Sequence, residues 1–149
     1  MPLITGDVTE HGAVITVFVG VSRNRRAVLE KHGMAVPKAV GVRAQLDTGS
    51  FITGFTTALF EQLGIGPIQV LRIRTPSTSP DRPCDCPVFD VILALVSGMD
   101  QTPLRVHAIA SDDFDRERDG DVHGIIGRDI LDYCNFTYLG PDKRFSLAY

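Results

Sequence analysis

The run VITVFVGV, Val14–Val21, is β-branched or aromatic at every position but Gly20, the signature of a strand rather than a helix. Runs of this kind recur along the chain, each short and each closed by turn residues. That recurrence is the strongest constraint on the fold. Val40–Leu46 and residues 68–73, 88–96 and 104–110 read as strands, with 3–8 as a weaker one. TEHG, between the first two runs, reads as a hairpin turn joining them. Asn135–Leu139 and Arg144–Ala148 read as a last hairpin around GPDK. Helical spacing is limited to Thr57–Leu63, with Gly64 as its stop, and a short helix after a turn at Gly127. Residues 26–32, stopped by Gly33, form a loop or short helix inserted between two strands. Many short strands with one or two short helices predict a mainly β chain closed as a barrel.

Size and charge narrow the function. A chain of 149 residues, 44% hydrophobic, is expected to be a single domain with a buried core. Its net charge of −3, with acids and bases interspersed, offers no basic face to nucleic acid and no polybasic patch to a membrane. No apolar run approaches the roughly 20 residues of a spanning helix. MPLITGDVTEHG has neither the charged nor the apolar region of a secretory signal. Three cysteines, Cys84, Cys86 and Cys134, fit free thiols in a reducing compartment. A cytoplasmic location is expected.

One strand ends in an unusual way. AQLDTGSFITGF, residues 44–55, interrupts an apolar stretch with Asp47, Thr48, Gly49 and Ser50. Gly49 allows a tight turn and close backbone approach, and the Thr48 hydroxyl can pin a loop to a neighbour. A lone carboxylate at the end of a buried strand is costly. It becomes useful beside a second carboxylate. Two such acids share one proton, so one serves as base toward a water while the other protonates a carbonyl oxygen.

QLDTGS and FITGF, followed by HGIIGRDIL with Gly127 lying 80 residues beyond Asp47, resemble the retropepsin-like aspartic proteases. These are single-lobed enzymes that include the retroviral proteases and bacterial relatives. The resemblance runs from Val14 to Tyr149 in the order of elements and is sharp at the two motifs. It implies a closed acid-protease barrel lobe that acts as a homodimer. Asp47 would be the catalytic acid, with Thr48, Gly49, Ser50, Ile125, Ile126 and Gly127 supporting its loop. Pepsin-like enzymes carry two DTG motifs in about twice this length; here there is one, so the second acid would come from another copy across a two-fold axis. Thr48 would link the two catalytic loops. Ser50 reads either as a turn residue or as a hydroxyl donor to the ionised acid pair, which would favour an acidic optimum.

The resemblance also implies a hairpin flap at about residues 68–96, with Thr75, Pro76, Ser77 and Thr78 touching an extended polypeptide substrate. Retroviral flaps are glycine-rich, whereas TPSTSPDRPCDCP has no glycine and four prolines. The acids that follow the motif in retroviral enzymes are replaced by Phe51 and Ile52, so Arg128 must pair with Asp129, find an acid across the dimer, or face solvent. A segment at about 22–41 is an insertion relative to the minimal retroviral enzyme. The implied activity is an aspartic endopeptidase needing no metal or organic cofactor. The alternative on the same fold is a non-catalytic dimerisation or peptide-binding module.

Other signals are weaker. Cys84 and Cys86 form a C-x-C whose only histidine recruits, His107 and His123, match no standard zinc spacing. Oxidisable thiols are the better reading; a redox-responsive regulator using them is a third option, behind the endopeptidase and the non-catalytic module. SDDFDRERDGD lacks the ligand order of a calcium loop and reads as a solvated connection. RNRRAVLEKH reads as a solvated helix face.

Overall fold

In β2 (Val14–Val21), Ile15, Val17, Val19 and Val21 are buried while Thr16 and Phe18 face outward, the period-2 pattern of a strand with one face on a core. The computed structural model that shows this describes residues 1–74, 83–114 and 122–149. Both edges of β2 are occupied. On one side lies β3 (Val40–Leu46), antiparallel, with Val42, Ala44 and Leu46 buried. On the other lies β6 (Cys84–Ser97), whose Val91–Leu95 stretch pairs with Val17–Val21. β6 continues into β7 (Asp100–Ala110) through a two-residue turn, Gly98 and Met99. Gly98 has φ +59°, the left-handed value that a II′ hairpin turn requires at its first central residue.

The ring closes through two short strands, β4 (Gly54–Phe55) and β8 (Gly124–Ile126). The order β2–β3–β8–β4–β7–β6, with β6 returning to β2, is a closed six-stranded barrel. β5 (Gln69–Ile73) hangs from the outer part of β6 as the arm of a hairpin, with Gln69 opposite Val88 and Ile73 opposite Cys84. Residues 75–82 between the arms, and with them Thr75, Pro76, Ser77 and Thr78, lie outside the described residues.

Three helices, rather than one or two, accompany these strands among the described residues. α1 (Arg23–Lys31) begins before the expected start at 26 because Ser22 caps it, its hydroxyl accepting the Arg25 N–H at 3.2 Å. Only Leu29 of α1 is buried. α2 (Thr57–Leu63) sends Leu59, Phe60 and Leu63 into the barrel core and stops at Gly64, with φ +60°. α3 (Arg128–Leu131) is a single turn that buries Ile130 and Leu131. Within the core, the rings of Phe60 and Phe89 stack at 4.1 Å, and Phe55 stands edge-on to Phe60 at 6.4 Å.

The expected hairpin between the first two strands does not form. Thr9 and Gly12 do exchange backbone hydrogen bonds of 2.9 Å, so the turn is made. Yet β1 (Leu3–Asp7) leaves it to pair with β10 (Arg144–Ala148), which pairs in turn with β9 (Asn135–Leu139) in a second, antiparallel sheet. The reason is edge occupancy: β3 and β6 already saturate β2, whereas β10 buries Phe145 and Leu147 and leaves an edge for β1. The first and last strands of the chain thus become neighbours.

Phe60 is central to both aromatic contacts. Phe60→Ala should destabilise the fold by about 3–5 kcal/mol, the usual cost of deleting a buried ring. Urea midpoints at unchanged m-value measure it; a loss below about 1 kcal/mol would mean that the core closes over the cavity.

Candidate active site

β3 and β4 are joined by the loop 47–53, yet they do not pair with each other. β8 lies between them, parallel to β3 through Ala44↔Gly124, Gln45↔Ile125 and Leu46↔Ile126, and antiparallel to β4 through Gly54↔Ile125 and Phe55↔Gly124. The loop must therefore arch over the end of a strand that comes from much later in the sequence. Such a crossing leaves no room for side chains where the backbones meet. A Cβ on Gly127 would lie 2.6 Å from the carbonyl carbon and oxygen of Ile52. One on Gly124 would lie 2.4 Å from Phe55 Cδ1 and 2.8 Å from the Gly54 carbonyl oxygen. Neither distance is tolerable, so both positions require glycine for close approach.

At the start of this loop Asp47 continues the β3–β8 ladder by one bond, its N–H donating to Ile126 O at 2.9 Å. Its side chain is half-buried. Oδ1 accepts the Gly49 N–H at 2.9 Å, which fixes the carboxylate against its own turn. Among the described residues no protein group donates to Oδ2. Thr48 and Gly49 form the exposed crest of the loop, and Phe51 beside them is 54% exposed. Ser50 closes the turn: its N–H donates to Asp47 O at 3.2 Å and its hydroxyl to Ile52 O at 2.7 Å. The Ser50 hydroxyl thus donates within its own loop. Ser50 O in turn accepts the Arg128 N–H at 2.9 Å, tying the loop to the first residue of α3.

The deepest tie is a residue that sequence reading passed over. Thr53 is fully buried. Its hydroxyl donates to Asp129 Oδ1 at 2.7 Å and accepts the Gly127 N–H at 3.1 Å. Its backbone N–H donates to Asp129 Oδ2 at 3.0 Å, and its carbonyl accepts the Ile109 N–H at 3.0 Å. Asp129 therefore serves Thr53 rather than Arg128, whose side chain is exposed. The signal was present in FITGF: a threonine set among apolar residues, whose burial obliges its hydroxyl to find a partner.

The structure brings Asp47, Thr48, Gly49 and Ser50 into one loop and sets Ile125, Ile126 and Gly127 alongside it. A cavity of about 450 Å³ adjoins the loop on the side of Phe51, Ile52 and Asp129, with Ile130, Tyr133 and residues 104–107 of β7 as its other walls. His107 faces Asp90, its Nε2 3.6 Å from the carboxylate, which also takes the Arg105 guanidinium at 2.9 Å. His123 sits at the approach to β8, its backbone N–H on Arg43 O and its carbonyl on Thr56 N–H. Chemically, the loop offers one carboxylate held through Oδ1, whose Oδ2 receives no donor among the described residues.

This architecture has a counterpart among solved structures. It is similar to the crystal structure of a retropepsin-like aspartic protease from Rickettsia conorii, with a TM-score of 0.59 over 99% of this chain and 90% of that one, at 14% identity. No family model and no curated protein matches the sequence itself. The fold is retropepsin-like: a mainly β lobe with a closed barrel and short helices.

Thr53→Val keeps the shape of the side chain but leaves Asp129 Oδ1 and the Gly127 N–H without their partner. It should cost about 1–3 kcal/mol of stability, the penalty for orphaned buried polar groups. Thr53→Ser should recover most of that loss in the same denaturation experiment; equal losses in both variants would show that packing, not hydrogen bonding, holds the crossing.

Proposed function

We propose that the chain is an aspartic endopeptidase that works as a homodimer and hydrolyses peptide bonds of extended polypeptides with a water held between two Asp47 carboxylates, one from each subunit. The observation that supports this most directly is the state of Asp47. The ladder holds its backbone N–H on Ile126 O and the Gly49 N–H holds Oδ1, while Oδ2, with no donor among the described residues, suits a water or a second acid. One such acid per chain is half of a catalytic pair. The exposed crest of Thr48 and Gly49 suits contact with the same crest of a second copy, because a closed two-fold interface sets equivalent residues against each other.

In this reading the paired carboxylates hold a single proton. The ionised one takes a proton from the water as its oxygen attacks the scissile carbonyl carbon. The protonated one gives its proton to the carbonyl oxygen. Collapse of the tetrahedral intermediate then sends a proton to the leaving nitrogen and breaks the C–N bond. The reaction needs no metal or organic cofactor, since the acid pair supplies both base and electrophile. Thr48 links the loops, Gly49 and Ser50 shape them, and Ile125, Ile126 and Gly127 form the floor. The 68–96 hairpin covers the substrate, with Thr75, Pro76, Ser77 and Thr78 at its tip, and the polypeptide binds through its backbone like an added strand. Residues 1–149 act as a single domain, with 22–41 as an insertion, in the reducing cytoplasm. No helix among the described residues is long and apolar enough to cross a membrane.

Asp47→Asn, which replaces both carboxylates of the pair, should lower cleavage of an unstructured protein by at least about a thousandfold while leaving the dimer intact in sedimentation, as expected when a unit that acts jointly is disabled. Specific activity of the native protein should also fall on dilution as the dimer dissociates. Full activity in a demonstrably monomeric sample, or in the asparagine variant, would refute the shared-site reading. A dimer that binds peptide but never cleaves it would leave the non-catalytic module in its place.

A further inference from the structure

Cys84 and Cys86 open β6, in register with Ile73 and Leu71 of β5. Two residues apart on a strand, they project from the same face. Cys86 is buried against Ile52, Ile73, Val88 and Ile109, and Cys84 lies partly covered at the rim of this cluster. The two Sγ atoms are 3.3 Å apart, with the Cys86 S–H donating to Cys84. Cys134 is differently placed, its S–H donating to Ile130 O at 3.4 Å in the turn that follows α3.

We propose that Cys84 and Cys86 form a modification site, a dithiol that oxidises to an intrachain disulfide by exchange with a low-molecular-weight disulfide such as oxidised glutathione. Exposure sets the order of events. Burial pushes the Cys86 thiol up to about 12, assisted by its hydrogen bond to Cys84, the charge of Cys84 and the carboxylates of Asp113 and Asp85. Cys86 therefore stays protonated, and the more accessible Cys84 reacts first. The Cys84 thiolate attacks one sulfur of the small disulfide and expels the other as a thiolate, leaving Cys84 as a mixed disulfide. Cys84 then carries no charge, so that one cause of holding the proton on Cys86 is gone while burial, the larger cause, persists and makes the next step the slower one. Cys86 gives its proton to solvent, attacks Cys84 Sγ and expels the second small thiolate. In total, two protein thiols and one small disulfide become one protein disulfide and two small thiols.

Alternate Cα atoms on an extended strand stand about 6.6 Å apart, near the upper limit that a disulfide spans. The bond therefore draws the strand inward at the root of the β5–β6 hairpin and is readily reduced, as strained disulfides are. Its effect passes to Ile52, which packs on Cys86 and whose carbonyl receives the Ser50 hydroxyl. The site stands independently of whether the chain cleaves peptide bonds.

The test uses the native protein with oxidised glutathione at mildly alkaline pH. Free thiols should fall from three to one, the mass should drop by two hydrogens with no glutathione retained, and peptide mapping should join Cys84 to Cys86. Reduced glutathione should reverse the change. Cys86→Ala should instead trap one glutathione on Cys84, whereas Cys134→Ala should behave as the native protein does. Glutathione retained on Cys84 of the native protein, a bond through Cys134, a bond between chains, or thiols that react only after denaturation would each overturn the proposal.

Discussion

β8 lies between two strands that are joined to each other by only seven residues, and the rest of the site depends on that threading. β3 ends at Leu46 and β4 begins at Gly54, so 47–53 must bridge them across the end of a third strand. The bridge cannot relax into a hairpin, because the ladder positions a hairpin would use are filled by Gly124, Ile125 and Ile126. The acid at its start is consequently held by backbone on both sides, from Ile126 O and from the Gly49 N–H. A carboxylate so constrained has little orientational freedom left to lose.

The crossing is secured by polar groups rather than by apolar packing alone. Thr53 has no access to water, so each of its hydrogen-bonding groups must be matched internally. Asp129 takes both its N–H and its hydroxyl, and the Gly127 N–H completes the set. These bonds span more than 70 residues of sequence and join the 47–53 loop to the segment that passes beneath it. In an environment of low dielectric such a network is costly to leave incomplete, and for the same reason it defines one geometry. The satellite cluster of Ile52, Ile73, Cys86, Val88 and Ile109 connects that geometry to the hairpin root.

Much of the local structure was legible in the chain because local signals and tertiary demands agreed. Val14–Val21 and Val40–Leu46 are strands by composition and alternation, and they are strands in the structure with those bounds. Thr57–Leu63 was equally plain, with apolar spacing before a left-handed Gly64. Where local signals were weak, the readings fell short. β6 and β7 each begin four residues before their β-branched runs at 88 and 104, because the ladders continue through Cys84–Pro87 and Asp100–Pro103, residues of poor strand propensity. α1 begins at Arg23, set by the Ser22 cap, three residues before the expected start at 26. The turn at Thr9–Gly12 was visible, but not that its flanking strands would part.

The sequence by itself determined the alternation of buried and exposed residues, the places where the backbone turns, and the identity of the acid that follows β3 with the glycine that shapes its turn. Those follow from side-chain chemistry and from neighbours within a few residues. Only the tertiary structure decided that β1 belongs with β10, that Asp129 belongs to Thr53 rather than to Arg128, and that two thiols on β6 rest against each other. Each of these is a choice among partners that local chemistry leaves equal. Strand edges, carboxylates and thiols are not selective in themselves, and the outcome is set by which edge is already occupied and which polar group has no water left to turn to.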